Sequence, residues 1–264
     1  MRRRDFFTTI GVGAIALSPD VTVLASQKMK VGRSLICLLV VCGVGVCSIR
    51  TAAAQPAGPA AGYKIDPEFT KTSPDGAITI EQYVNKDTDN YKWQFWVRRP
   101  GTFTLLDPEP ADYPAGFLFT NDLKWIVREQ KIGSGTSTLY LYRLAPHGYV
   151  PASKKPLGDL AWAFLKTRPD WRKVAKEPEY HESADLLEGL EENYRGLGVD
   201  WPADRYLLIT LSGDADIKNR KPMQTSVVHG WRCRYDLQTG KFDVPALFSG
   251  NNAKAVVPGR PGAF

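Results

Sequence analysis

The sequence predicts a mainly β (α+β) protein of antiparallel, blade-like meanders with a helical insertion. Apolar and polar residues alternate in segments such as YKWQFWVRR (91–99) and GWRCRYDL (230–237), which is typical of strands with one buried and one solvated face. Turn-forming residues separate these segments. Helical spacing of apolar residues is confined to the middle of the chain, so the helices are expected to be segregated from the strands.

Residues 29–54 have the layout of a secretory signal peptide. Lys30 and Arg33 precede the apolar run Leu35–Val46, and the small residues Ala52–Ala54 follow it. Charged, apolar and small-residue segments in this order form a cleavable export signal. The apolar run is shorter than the roughly 18 to 20 residues of a membrane-spanning helix. We therefore expect cleavage after Ala54, a periplasmic or secreted protein, and no stable transmembrane anchor.

Residues 1–28 permit two interpretations. The segment MRRRDFF resembles the start of a twin-arginine export signal, with Arg3 and Arg4 followed by Phe6 and Phe7. The alternative is that translation starts at Met29 and that residues 1–28 are an upstream extension. The choice between Met1 and Met29 stays open at this point.

The positive charge of the chain belongs largely to its first 54 residues. These hold seven of the 34 Lys and Arg residues and two of the 28 Asp and Glu residues, which leaves 27 cations and 26 anions in the remainder. A nearly neutral chain without a basic block argues against nucleic-acid binding. Cys233 is the only cysteine after residue 54, and alternation in its strand places it inside, where a thiol behaves as a small apolar group.

After a short leader of small residues and proline, 55–62, residues 63–264 are long enough to form one β-rich domain. The turn sequence KIGSGTS (131–137) separates two of the predicted strands and favours a hairpin over a phosphate-binding loop, because strands flank it on both sides. In chain order, the expected strands are Ala77–Val84, Tyr91–Arg99, Thr102–Leu106, Gly116–Thr120, Trp125–Gln130, Thr138–Leu144, Arg205–Leu211, Gly230–Leu237 and Lys241–Val244.

The predicted helical insertion spans residues 157–196. Apolar residues in LGDLAWAFLK, Leu157–Lys166, recur at helical intervals. A second helix is expected to begin at Ser183, a favourable N-cap, and to end near Gly196, a favourable C-cap. Its buried stripe would consist of Leu186, Leu187, Leu190 and Tyr194.

Three segments share a polar or proline-bearing turn with an aspartate, followed by a strand. They are SPDGAITI (73–80), TNDLKWIV (120–127) and PADRYLLI (202–209). The SPDG-strand segment and YDLQTGKF (235–242) resemble segments of TolB-type and related β-propeller blades. Three such units are fewer than the about four blades that a closed propeller needs, so we expect an open set of meanders. The alternative is that these turns are unrelated, because aspartate is common in turns of any β protein.

Two surfaces are candidates for binding. Trp96 is expected on the polar side of its strand beside Arg98, and Arg232 and Arg234 are expected to share a second solvated face. Exposed aromatic and cationic groups are typical of surfaces that bind glycans or anionic peptides. The sequence therefore predicts a non-catalytic module, without cofactor or metal, that binds a cell-envelope protein or glycan.

Two other functions compete with this prediction. The segment HESAD (181–185) begins like the zinc-protease motif H-E-x-x-H, in which two histidines one helical turn apart hold the metal and the glutamate acts as base. With Asp185 in place of the second histidine, His181, Glu182 and Asp185 would form a metal-assisted hydrolase site. The third possibility is a purely structural envelope protein. The sequence contains no G-x-S-x-G, S-x-x-K or P-loop motif.

Overall fold

A computed structural model describes residues 57–86, 91–173, 180–187, 205–216 and 224–256. The described residues belong to the compact unit Ala52–Phe264. The expected signal peptide, residues 29–54 with cleavage after Ala54, and the extension 1–28 lie outside the described residues. So do most of the segment expected to form the second helix and the start of the third repeated segment, PADRYLLI.

The first sheet, sheet I, is antiparallel and is built from the N-terminal strands. Its path is β1–β3–β4–β5, and β2 pairs with β3. One face of β4 buries Trp93, Phe95 and Val97, as the alternation in the sequence predicts. The strands are β1 (Lys64–Ile65), β2 (Lys71–Thr72), β3 (Thr79–Asn85), β4 (Lys92–Arg99) and β5 (Thr102–Leu105).

The second sheet, sheet II, is an antiparallel meander in the order β6–β7–β8–β9. Ile126 and Tyr142 pack in one apolar cluster with sheet I. Val127 and Leu141, on the opposite face, pack in another cluster with the third sheet. Sheet II is therefore a middle layer that is covered on both faces. Its strands are β6 (Ala115–Phe119), β7 (Trp125–Gly133), β8 (Thr136–Ala145) and β9 (Gly148–Pro151).

The third sheet, sheet III, has the antiparallel order β10–β11–β12–β13. The pairing of β11 with β12 shifts register between Leu211 and Asp214, which marks a β-bulge or a similar irregularity. Its strands are β10 (Tyr180–Leu186), β11 (Tyr206–Asp216), β12 (Gln224–Asp236) and β13 (Lys241–Asp243).

Two α-helices of the described ranges brace the sheets. Helix α1 (Leu157–Lys166) packs between sheets II and III, and its Trp162 Nε1 donates a hydrogen bond to the Ser183 carbonyl at 3.1 Å. Helix α2 (Ser249–Ala255) lies along β12, where the Asn252 amide accepts from the Arg232 N–H at 2.9 Å and donates to the Arg232 carbonyl at 2.8 Å. The Asn252 side chain thus satisfies backbone groups of β12 that lie beyond the end of β13.

Where the structure describes the chain, short 3₁₀-helices lie at Pro67–Phe69, Pro169–Lys173 and Ala246–Phe248. Within the described ranges, the helices are all too short, or too polar, to cross a membrane.

The structure confirms the predicted fold class. The described strands form antiparallel sheets that do not close into a barrel or propeller. Each predicted strand is present, but β11 continues five residues beyond the predicted end at Leu211 and β12 begins six residues before the predicted start at Gly230. The first predicted helix, Leu157–Lys166, is also confirmed. Cys233 is buried as predicted, and burial raises the pKa of its thiol.

The predicted start of a second helix at Ser183 is wrong, because Ser183 lies within strand β10. Ala184 and Leu186 alternate with Ser183 and Asp185 along this strand. The first pair packs in the apolar cluster around α1. The second pair makes hydrogen bonds with Ser137 of sheet II. Contacts with α1 and sheet II therefore outweigh the local preference for a helix.

Two of the repeated turns have the same hydrogen-bond pattern. The hydroxyl of the first residue donates to the carboxylate two residues later, Ser73 to Asp75 at 2.6 Å and Thr120 to Asp122 at 2.8 Å. Each carboxylate also accepts the backbone N–H two residues further on, at 3.0 Å in both turns. Each hydroxyl accepts the N–H at the start of the next strand, at 3.0 and 3.2 Å.

Candidate functional site

Trp96 is not an exposed binding residue as predicted, because its side chain is fully buried. Strand β5 turns back beside β4 and places the Phe103 ring against the indole, with 4.8 Å between the ring centroids. The indole Nε1 donates to Gln94 Oε1 at 3.3 Å. Alternation assigned Trp96 to the solvated face correctly, but it did not reveal that an aromatic side chain from the next strand covers that face.

Arg98 is exposed, with 53% of its side chain accessible, yet Glu81 binds it on both sides of its guanidinium fork. Nε donates to Oε1 at 2.5 Å and Nη2 donates to Oε2 at 3.0 Å. The guanidinium carbon lies 4.3 Å from the centroid of the Phe103 ring. The Arg98 hydrogen bond is the main cause of a lowered pKa at Glu81. Arg98 is thus a partner in an internal ion pair.

Arg232 and Arg234 lie on β12 and are partly exposed. Arg234 donates to Asp243 through Nε at 2.9 Å and through Nη2 at 2.5 Å, and its guanidinium carbon lies 4.3 Å from the Tyr206 ring centroid. These two arginines belong to sheet III, whereas Trp96 and Arg98 belong to sheet I. The structure therefore does not combine the predicted residues into one site.

The HESAD segment does not form the arrangement that the H-E-x-x-H motif requires. In strand β10 His181 and Asp185 are four residues apart, so their Cα atoms are separated by about 13 Å. Glu182 points to the other side of the strand and pairs with Lys166 of α1. In the described part of the chain, no three His, Cys, Asp or Glu side chains are grouped to hold a metal ion.

A polar cavity of about 610 Å³ lies between the β7–β8 turn and strands β10 and β11, and His181, Ser183 and Asp214 contribute to its walls. The Ser183 hydroxyl lies 2.8 Å from the Ser137 hydroxyl and donates to Asp185 at 3.2 Å. The Ser183 hydroxyl also accepts the Ser137 N–H at 3.1 Å. The hydrogen bonds to Ser137 join sheet II to sheet III.

An unusual polar group of the described residues is Arg128 on β7, which is not among the candidates that the sequence predicts. Its side chain points between sheets I and II and is only 4% exposed. The guanidinium carbon lies 3.9, 4.9 and 5.7 Å from the ring centroids of Tyr140, Phe95 and Tyr142. Aromatic rings stabilise a cation held over their faces, so these side chains form a cage around the charge.

Arg128 has one acidic partner among the described residues, Asp107, whose Oδ2 lies 3.4 Å from Nη2. Its Nε and Nη1 are buried and make no hydrogen bond within this part of the protein. A guanidinium has five N–H donors, and buried donors are nearly always satisfied. Two residues along the same strand face, Gln130 has a buried Oε1 that also lacks a hydrogen-bond partner there.

Two cavities adjoin these groups. The smaller, of about 230 Å³, has Arg128 and Gln130 in its wall together with Lys131. The larger, of about 550 Å³, is lined by residues of β8 and of the loop after β9, including Tyr142. Asp107, Glu109 and Tyr140 line both cavities. The name Arg128 site is used below for the smaller cavity with Arg128, Gln130 and Asp107.

Tyr142 supports the acidic side of the Arg128 site. Its hydroxyl donates to Asp107 Oδ2 at 3.4 Å, and burial raises the pKa of its phenol. Tyr142 therefore stays neutral and acts as a donor, and Asp107 is held between a phenol and a guanidinium. The site offers unused N–H donors from a cation, which suit an anionic acceptor, and an unused amide oxygen, which suits a hydrogen-bond donor.

The signal for Arg128 in the sequence is weak. In the segment WIVREQ (125–130), Ile126, Arg128 and Gln130 share one side of the strand. A strand at the surface would present these last two side chains to water. Only the position of sheet II between two other sheets places them in the interior.

No family model matches the sequence, and comparisons with curated proteins and with solved structures give no match.

Proposed function

We propose that the protein is an exported, non-catalytic binding module of the cell envelope, and that it binds an anionic group of its ligand at the Arg128 site. The observation that carries this proposal is the buried Arg128 guanidinium, whose Nε and Nη1 have no acceptor in the described residues although the side chain lines a cavity. The signal-peptide layout of residues 29–54 and the nearly neutral remainder of the chain support an exported protein.

An anionic ligand would complete the interactions of Arg128. A buried donor without an acceptor costs about 1–3 kcal/mol, and more for a charged group. An oxyanion in the cavity would accept from the guanidinium, and hydrogen bonds between charged partners are roughly twice as strong as neutral ones. Burial of the guanidinium beside aromatic rings lowers the local dielectric constant, which strengthens this attraction.

The lining of the small cavity favours binding over catalysis. Its side chains include the carboxylates of Asp107, Glu109 and Asp112, and no serine, cysteine or histidine lies among the described residues that form its wall. Asp107 is paired with Arg128, and Asp112 with Lys92. The competing purely structural function assigns Arg128 only to the contact between sheets I and II.

Binding of a simple carboxylate tests the proposal. We expect sodium propionate, at constant ionic strength, to raise the midpoint of thermal unfolding of the purified protein, because a ligand that binds only the folded state stabilises it. Arg128→Lys keeps the charge but not the guanidinium geometry. It should weaken propionate binding about tenfold or more, as expected for loss of a hydrogen bond to a charged group.

The matched control is Arg98→Lys, which changes an arginine that Glu81 already binds outside the cavity. This variant should bind propionate as the wild type does. Equal propionate binding by Arg128→Lys and the wild type, with circular dichroism showing that both are folded, would place the anion elsewhere. Absence of any carboxylate binding would leave the structural function as the better account.

A further inference from the structure

We infer that the Arg128 site recognises an α-amino-acid carboxylate, in which the charged group and an N–H donor are borne by the same carbon atom. The C-terminal residue of a peptide and a free amino acid both have this chemistry. The inference rests on the proposed function, because it assigns the anionic group to Arg128. It adds a second determinant, Gln130, and through it the chemical class of the ligand.

Gln130 is buried, with 3% of its surface exposed, and its amide orientation is determined by its own hydrogen bonds. Nε2 donates to the Tyr113 carbonyl and to the Lys131 carbonyl, both at 3.0 Å. Exchange of the amide nitrogen and oxygen would place an acceptor against two acceptors. The Gln130 Oε1 atom is therefore a buried acceptor, and no described residue donates to it. A ligand N–H would satisfy it.

Two residues in the wall of one cavity have opposite hydrogen-bonding needs. Arg128 has unused donors, and Gln130 has an unused acceptor. They are two residues apart on β7, so their side chains leave the same face of the sheet about 7 Å apart at the Cα atoms. Both line the 230 Å³ cavity. A simple carboxylate or a phosphate satisfies the guanidinium but brings no N–H for Gln130. An α-amino-acid unit supplies the carboxylate and the N–H from the same carbon atom.

The size and lining of the cavities agree with such a ligand. A volume of about 230 Å³ holds roughly eight water molecules at about 30 Å³ each, which is enough for one amino-acid unit. Pro110, Ala111 and Ile132 provide apolar surface for a small side chain. The larger cavity adjoins the smaller one at Asp107, Glu109 and Tyr140.

Calorimetric titration of the full chain with four small ligands tests the inference. The ligands are N-acetylalanine, alanine, propionate, and N-acetyl-N-methylalanine, which keeps the carboxylate but has no N–H. We expect N-acetylalanine or alanine to bind about fivefold more tightly than propionate and the N-methyl compound, the difference that one hydrogen bond makes. The comparison of alanine with N-acetylalanine distinguishes a free amino acid from a peptide end.

Gln130→Met should remove this discrimination while it keeps binding of propionate through Arg128. Gln82→Met is the matched control, because Gln82 is equally buried but its amide is fully used, by the Phe69 and Ala115 carbonyls and the Ala115 N–H. It should leave the order of affinities unchanged.

The outcomes separate the two proposals. Equal affinity of the wild type for all four ligands would overturn the assignment of an amino-acid ligand and leave carboxylate binding intact. Failure of all four ligands to bind would overturn the proposed function itself. The first comparison uses only the wild type, so it holds even where a Gln130 variant does not fold.

Discussion

At the scale of single residues, two arginines beside aromatic rings show how burial determines the role of a charged side chain. Arg98 is half exposed and both ends of its guanidinium fork are bonded to one carboxylate, Glu81. Arg128 is buried among three rings and has one longer contact, with Asp107. The better-satisfied arginine is the less suited to bind a ligand, although it is the more accessible.

The Arg98–Glu81 pair makes stability depend on pH. Hydrogen bonds from Arg98 and then Tyr83 lower the pKa of Glu81 against the opposing effect of burial. A lowered folded-state pKa means that the pair stabilises the protein above about pH 4.3, the ordinary value for glutamate. That contribution is lost as the pH falls through the folded-state pKa.

We therefore expect Glu81→Gln to destabilise the protein by about 1 kcal/mol at pH 7, a modest value because Arg98 is exposed. The difference from the wild type should shrink when urea unfolding is repeated near pH 3. Asp112→Asn, which removes the exposed partner of Lys92, serves as the control and should have little effect at either pH. An undiminished difference for Glu81→Gln at low pH would contradict the role of the charge.

At the scale of elements, the two related turns show how a short motif determines the conformation of the chain before a strand. Their fourth residues, Gly76 and Leu123, both adopt a positive φ, 73° and 53°. Glycine adopts this conformation without steric cost, whereas other residues pay roughly 1–2 kcal/mol. Leu123 nevertheless packs against the cluster between sheets I and II, and this contact offsets part of that cost.

Gly76→Ala should destabilise the protein by about 1 kcal/mol. An added Cβ would meet no atom within 4 Å, so the cost comes from the backbone conformation alone. Gly250→Ala is the matched control. It also places a methyl group in open space, but at an ordinary helical position of α2, where alanine is favoured by up to about 1 kcal/mol. Chemical denaturation of both variants should therefore give changes of opposite sign.

Local sequence patterns predicted where the strands lie, because apolar and polar residues alternate within each strand. They failed for residues 183–186, where leucine spacing and a serine cap also fit a helix. The deciding contacts come from elsewhere: Ser137 bonds to Ser183 and Asp185, and Glu129 Oε1 accepts the Leu186 N–H at 3.0 Å. Contacts with a strand some 50 residues away are not readable from the segment itself.

At the scale of the whole molecule, the position of sheet II between sheets I and III determines the candidate site. Alternation in a sequence predicts one wet face for each strand, and this holds only where no second layer covers that face. For β7 both faces are covered, so Arg128 and Gln130 are interior residues. The predicted surface residues Trp96, Arg98, Arg232 and Arg234 were chosen by assuming a wet face, and the interior site was missed for the same reason.

Helix α1 joins sheets II and III at Gly158, and replacement of this glycine should weaken their contact. A Cβ there would lie 2.3 Å from Thr138 Oγ1, 3.0 Å from Ala184 Cβ and 3.1 Å from the Leu139 nitrogen. We expect Gly158→Ala to destabilise the protein by about 1–3 kcal/mol, against the helical preference for alanine. Thermal unfolding measures the effect.

A second substitution tests the cause of that effect. Thr138→Ala removes the nearest clashing atom, so the double variant should lose less stability than the sum of the two single changes. Simple additivity would show that the Thr138 contact is not responsible.

Each sheet takes all its strands from one continuous stretch of chain, residues 64–105, 115–151 and 180–243. Short connections cost little entropy to close, so each meander can assemble in the order in which the chain is synthesised. A sheet nevertheless stays incomplete until the next one covers it. A chain released after residue 151 would expose the apolar face of sheet II formed by Val127, Leu139 and Leu141. Such faces make partly folded chains prone to aggregate, so the chain after residue 151 protects what precedes it.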